Sequence, residues 1–215
     1  MVKNEVRINK YLSEIGFCSR READRMIAEE RVTINGKVPE MGTKIVSGDV
    51  VRVDGELVSA PNEQPVYIAF NKPVGIVCTT DTSQKDNIVD YINHPQRIFH
   101  IGRLDKPSEG LILLTSDGDI VNKILRAGNA HEKEYIVKVN KPIVGDFLEK
   151  MSNGVPILGV VTQKCQVRQM KKDTFRIILT QGLNRQIRRM CDHLGYKVVA
   201  LKRVRIMNIK LYLPR

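Results

Sequence analysis

The stretch "IGRLDKPSEG" (residues 101–110) sets Asp105 between Arg103 and Lys106, in a loop flanked by Gly102 and Gly110 that leads into the apolar run "LILL". A carboxylate there has two uses. Beside a substrate it acts as nucleophile or general base; turned toward the backbone it only caps the next turn. Much later, "RQIRRMCDHLG" puts Ile187, Met190, Cys191 and Leu194 at i, i+3, i+4 and i+7, a buried helical stripe closed by Gly195. Arg185 and Arg189 point away from that stripe. Arg188 sits on its edge, where a partly buried guanidinium requires a carboxylate, and Asp105 is a candidate partner.

Other chemistries find no residues to carry them. Cys18, Cys78, Cys165 and Cys191 are far apart, with no C-x-x-C pair and no histidine at ligand spacing, so a zinc site is not expected. The four histidines are scattered, and neither G-x-x-x-x-G-K-[ST] nor G-x-G-x-x-G occurs. No metal or cofactor is expected.

The formal charge of +11 points to a polyanionic partner, nucleic acid before an anionic membrane. Residues 164–215 hold fourteen Lys and Arg against two Asp and Glu, whereas residues 1–60 balance ten against ten. The excess is thus one localised surface in the final quarter. With no apolar stretch of membrane-spanning length and no signal-peptide pattern at its start, the chain reads as cytoplasmic.

The elements that must position these residues fall into two groups around "SAPNEQP" (59–65), a polar, proline-containing linker. Before it, "INKYLSEIG" has helical spacing, and "SRREADRMIAEE" opens with Ser19 and Glu22 as a reciprocal capping box. Ala23, Met26 and Ile27 form the apolar stripe of this second helix, leaving Arg20, Arg21 and Arg25 off it to hold phosphates or simply to be solvated. Asn35-Gly36 and Asp54-Gly55 signal hairpins. After the linker, "VYIAFNKPVGIVCTT" reads as two strands around Pro73-Val74-Gly75. "GLILLTSDG", "EYIVKV" and "FRIILT" read as strands, and "DIVNKILRAG" and "RQIRRMCDHLG" as helices. The expected class is α+β.

Two resemblances sharpen this. "RINKYLSEIGFCSRREADRMI…VTINGKV" resembles the α-L RNA-binding motif of a small-subunit ribosomal protein, which implies an αα-β-hairpin module over residues 1–62, with Arg7, Lys10, Arg20, Arg21 and Arg25 on RNA. "FNKPVG", "HIGRLDKPSEGLILLTSDGD", "HEKEYIVKV" and "QGLNRQIRRM", in that order, resemble the bacterial ribosomal pseudouridine synthases, and the stretches at 79–105 and 120–135 most resemble the F-type synthases among those that modify 23S ribosomal RNA. That resemblance implies a catalytic domain over residues 63–215 on a mixed, mainly antiparallel sheet. It also implies isomerisation of one uridine in 23S ribosomal RNA, with transfer RNA left open as a further substrate.

On the same resemblance Asp105 is the catalytic aspartate, acting as nucleophile at the ribose or, the favoured route, as base for a sugar proton on the way to a glycal. Arg188 is the basic residue that holds it ionised and oriented. Tyr135 stacks on the extruded base, since a nucleotide in folded RNA must leave its stack to be reached. Arg103 holds the flipped nucleotide or its phosphate, Arg185 and Arg189 hold phosphates, and Ile206 or a neighbour packs against the base. Lys72 belongs to a structural turn. The family also implies a monomer without cofactor. Pro107 departs from the polar residue common in relatives and restricts Lys106 to extended geometry. Two rivals are a non-enzymatic ribosome-assembly protein and a hydrolase releasing free uracil.

Overall fold

The computed structural model describes residues 5–59, 64–125 (without the Asn122 side chain) and 131–212. Packing separates two units. One runs to Val66 and takes in Pro95–Arg97 and Ser116–Gly118; the other comprises the remainder from Tyr67. The expected 62/63 boundary and the middle of the linker lie outside the described residues.

The first unit contains β1 (Val6–Arg7), α1 (Ile8–Glu14), α2 (Arg20–Ala28), β2 (Val32–Ile34), β3 (Lys44–Ile45), β4 (Val51–Val53) and β5 (Glu56–Leu57). Ile8 and Leu12 of α1 and Ala23 and Ile27 of α2 share one buried cluster with Val32, Ile45, Val51 and Val53. Ser19 Oγ accepts the Glu22 N–H at 3.0 Å, which is half of the expected capping box. The reciprocal half does not form. Glu22 instead accepts from Arg25 Nη2 at 2.7 Å, a charge-assisted bond across one helical turn that competes successfully with a single backbone N–H.

Asn35 and Asp54 each have φ 52°, followed by Gly36 and Gly55 at 79° and 84°, the left-handed pairs of type I′ turns. Asp54-Gly55 joins β4 to β5 as a hairpin. Asn35-Gly36 forms its turn but no two-strand hairpin, because β2 takes β4 as its partner and Lys37 makes only an isolated bridge to Ile34.

The second unit contains β6 (Tyr67–Lys72), α3 (Ile88–Ile92), β7 (Phe99–Ile101), β8 (Glu109–Thr115), α4 (Gly118–Leu125, from Asp119 onward), β9 (Lys133–Val139) and α5 (Phe147–Asn153). It continues with β10 (Pro156–Ile157), β11 (Val160–Val161), β12 (Gln166–Lys171), β13 (Thr174–Leu179), α6 (Gln186–His193), β14 (Val198–Ile206) and β15 (Ile209–Lys210). One sheet runs β12-β13-β9-β14-β8-β6, with β15 on β14 and β7 on β8. Its pairings are antiparallel except β14 with β8. The fold is therefore α+β on a mixed, mainly antiparallel sheet, as the sequence leads one to expect.

Two expected elements change. The second strand after Pro73-Val74-Gly75 is absent: β6 pairs with β8, and Val77 makes only a bridge to Asn87. The buried Lys72 ammonium donates to Pro73 O and Ile76 O, both at 2.8 Å, and so curls this segment into a turn. The helix expected over 119–128 is described from Gly118 to Leu125, and residues 126–128 lie outside the described residues.

Strand β8 is the keel of the unit. Ile112 and Leu114 pack on one side with Cys78, Ile88 and Leu104, while Leu111 and Leu113 pack on the other with Ile206, Ile120 and Ile124. A strand covered on both faces reads as a continuous apolar run, hence "LILL" without alternation. On a neighbouring part of the sheet, Ile187, Met190 and Cys191 of α6 pack with Val137, Phe175 and Ile177. Gly195, at φ 77°, ends α6 as expected, and the next N–H, from Tyr196, bonds back to Cys191 O at 2.9 Å.

Candidate active site

Asp105 lies on the loop between β7 and β8, and each neighbouring residue is held from a different direction. Arg203 of β14 donates through Nη1 to Arg103 O at 3.3 Å. The Leu104 N–H donates to the Cys78 thiol sulfur at 3.4 Å. Lys106 O accepts the Gly75 N–H at 2.9 Å, so the turn that Lys72 curls is itself a prop for the loop. Arg188 Nη2 donates to Pro107 O and to Ser108 Oγ, both at 3.0 Å. The Ser108 N–H closes a turn on Asp105 O at 2.9 Å. The backbone is thus fixed while the carboxylate is left open: the Asp105 side chain is 37% exposed, against 11% for Arg188.

Arg188 is the half-buried cation that the helical stripe implies. Its Nε stands 3.9 Å from Asp105 Oδ2, an electrostatic contact rather than a hydrogen bond. Burial pushes the guanidinium below its ordinary pKa, and the charge of Asp105 is the first influence opposing that shift. An arginine remains cationic under such a shift, so Asp105 faces a permanent positive charge. Lys72 is fully buried, and its ammonium is likewise pulled down by burial, with Cys78 and Asp105 opposing.

Tyr135 is half-buried on β9 and touches both the cluster under α6 and the cluster that contains Leu104. It lies directly across from Arg203, which in turn pairs with Gly110 on β8. Tyr135, Arg203 and Gly110 therefore form one row across three adjacent strands, at the base of the Asp105 loop. At Gly110 a Cβ would lie 2.2 Å from Arg203 O, and φ is 109°, so only glycine permits this approach of β8 to β14.

The expected RNA contacts divide between the two units. In the first, Arg7, Arg20 and Arg21 are exposed and without an ion pair among the described residues. Arg25 is paired with Glu22, and Lys10 with Glu14 at 3.1 Å. In the second, Arg103 and Arg185 are exposed, Arg185 at the N-cap of α6 with φ 50°. Arg189 donates to Asn184 O at 3.0 Å and Asn184 Oδ1 at 3.1 Å, which shapes the turn into α6. Ile206, expected near the base, is buried in the cluster under α4.

Arg203 escapes a reading of the sequence, whereas Lys72, expected in a structural turn, and Gly110, expected only to flank the loop, take their particular roles from tertiary contacts. In "LKRVRI" Arg203 looks like its neighbours Lys202 and Arg205, and only the pairing of β14 with β8 sets it apart.

One open carboxylate on a braced loop thus faces a guanidinium, with a tyrosine in the strand row at the base of that loop. The RNA pseudouridylate synthase family matches residues 66–193, and the S4 domain matches residues 6–51. The chain belongs to the RNA pseudouridylate synthase family and is an enzyme that isomerises uridine in RNA. It is 59% identical to the dual-specificity RNA pseudouridine synthase RluF of Escherichia coli K12, over 97% of this chain and 72% of that protein. It is 36% identical to the ribosomal large subunit pseudouridine synthase B of Bacillus subtilis, over 92% of this chain and 84% of that protein. A crystal structure of a pseudouridylate synthase superposes with a TM-score of 0.68 at 28% identity, covering 96% of this chain and 91% of that one.

Proposed function

We propose that the enzyme converts one uridine of 23S ribosomal RNA to pseudouridine, with transfer RNA as a second substrate class, and that Asp105 is its catalytic residue. The observation that carries the residue assignment is the braced loop: its backbone is held at residues 103, 104, 106, 107 and 108 while the carboxylate stays open and faces Arg188. The similarity to a dual-specificity relative and to a large-subunit relative supports the two substrate classes.

Isomerisation breaks the bond from uracil N1 to ribose C1′, turns the freed base, and forms a bond from C5 to C1′. Asp105 removes the C2′ proton as uracil departs as its anion, giving a glycal, and returns a proton to C2′ as C5 bonds to C1′; the C5 proton is then lost to solvent and N1 takes one up, which balances the isomerisation. Arg188, a permanent cation facing the carboxylate, orients it toward the sugar. Tyr135 stacks on the extruded uracil while it turns. Arg103, Arg185 and Arg189 hold the flanking backbone, and Arg7, Lys10, Arg20, Arg21 and Arg25 of the first unit hold structured RNA, whose phosphates supply affinity without sequence identity. No cofactor enters this scheme. The enzyme acts as a monomer in the cytoplasm, its two domains divided at residues 62 and 63.

The test is tritium release from RNA labelled at uridine C5, wild type against Asp105→Asn, on ribosomal and transfer RNA separately. Release by wild type alone is the expected result. Release by Asp105→Asn at the wild-type rate would remove Asp105 from the chemistry, and a wild type silent on ribosomal RNA would remove that substrate.

A further inference from the structure

The geometry points to Arg203 as the positioning residue of Asp105: it ties the two ends of the catalytic loop to the central strand β14 and so fixes where the carboxylate stands. The inference rests on the proposed role of Asp105.

Arg203 is only 3% exposed, in the middle of a nine-residue strand. Its Nε donates to Leu111 O at 2.6 Å and its Nη1 to Arg103 O at 3.3 Å. One rigid guanidinium therefore bridges a residue just before Asp105 and a residue just after the loop closes. The backbone of Arg203 adds a third hold, since it packs against Gly110 with no room for a Cβ. Nη2 is buried without a hydrogen-bond partner among the described residues. A buried cation with a donor left over is costly to keep for packing alone, because an apolar side chain of similar size would fill the same space without that desolvation.

The planar fork is what the task requires. Two carbonyls on opposite flanks of a loop need donors at fixed separation, which a guanidinium has and an ammonium lacks. Through strand pairing the same residue faces Tyr135, so the proposed base-stacking residue and the carboxylate share one anchor. Arg188, by contrast, grips the far side of the loop through Pro107 and Ser108. Without Arg203 the loop would still be held there, and the carboxylate would swing about that hold.

The experiment compares wild type, Asp105→Asn, Arg203→Lys and Arg203→Gln as full chains. It measures single-turnover tritium release and filter binding on C5-labelled ribosomal and transfer RNA, with thermal melting of each protein. Arg203→Lys is expected to melt cooperatively, to bind RNA within about twofold of wild type, and to react about 100-fold more slowly, the loss that a misplacement of about 1 Å produces. Arg203→Gln is read in the same way should the lysine variant lack a melting transition. A rate within about threefold of wild type in a folded Arg203 variant, with Asp105→Asn inactive, would overturn the positioning role and leave Asp105 standing. Loss of the melting transition in both variants would overturn it too, because Arg203 would then belong to the core. Activity in Asp105→Asn would instead overturn the reading on which the inference rests.

Discussion

Arg188 reaches Asp105 across the site with Nε 3.9 Å from Oδ2, while its Nη2 grips the same loop at Pro107 O and Ser108 Oγ. One side chain thus supplies both the charge that the carboxylate faces and part of the scaffold that holds it. Arg188→Lys keeps the charge but loses the fork, and Arg188→Met loses both. Single-turnover rates are expected to fall about 100-fold for the lysine variant and further for methionine, with RNA affinity within a few fold. Equal rates for wild type and Arg188→Lys would show that charge alone suffices.

Tyr135 packs its ring against two clusters. Tyr135→Phe keeps the stacking surface and is expected to bind RNA nearly as well as wild type. Tyr135→Ala removes it and should weaken the flipped complex by about 1–3 kcal/mol, the range for base–aromatic stacking. A fluorescent base analogue at the target uridine reports both outcomes.

Gly110→Ala places a Cβ against Arg203 O in a backbone of positive φ. Because backbone meets backbone, no side chain can yield, and the loss of stability is expected at about 4 kcal/mol or more. Urea denaturation measures it; a midpoint near that of wild type would contradict the close approach.

Glu134 is buried; its Oε2 accepts from Arg205 Nε at 2.8 Å, and its Oε1 forms an ion pair with Arg176 Nε at 2.8 Å. Burial alone would raise its pKa, but the two guanidinium partners hold it below its ordinary value of 4.5. Since the folded value lies below the unfolded one, this group contributes stability fully above about pH 4.5 and loses it as pH falls through the folded value. Glu134→Gln should therefore lower Tm at neutral pH, by the equivalent of on the order of 2 kcal/mol, and flatten the acid limb of Tm against pH. Parallel acid limbs in the two proteins would exclude Glu134 as a source of the dependence.

Arg20 and Arg21 are exposed on α2 without ion pairs among the described residues. Replacing either with alanine is expected to weaken RNA binding and reduce the slope of log affinity against log salt by about one. An unchanged slope would take that arginine off the phosphate backbone.

Much of this enzyme is written locally in its sequence. Apolar spacing determined α1, α2 and the buried stripe of α6, because helical period and burial are consequences of nearest neighbours. The same stripe, by leaving Arg188 on its edge, announced a half-buried cation in need of a carboxylate. Asp105 stood out through its glycine-flanked loop ahead of an apolar strand. What tertiary structure alone decided are relations between strands distant in the chain. The pairing of β14 with β8 made Arg203 an anchor and Gly110 irreplaceable. The choice of β8 as partner for β6 left "GIVCTT" without a strand to join, and Lys72 turned it into a prop. A hydrogen bond between distant carbonyl and guanidinium leaves no periodicity, since its cause is the path of the chain in space rather than the order of residues along it.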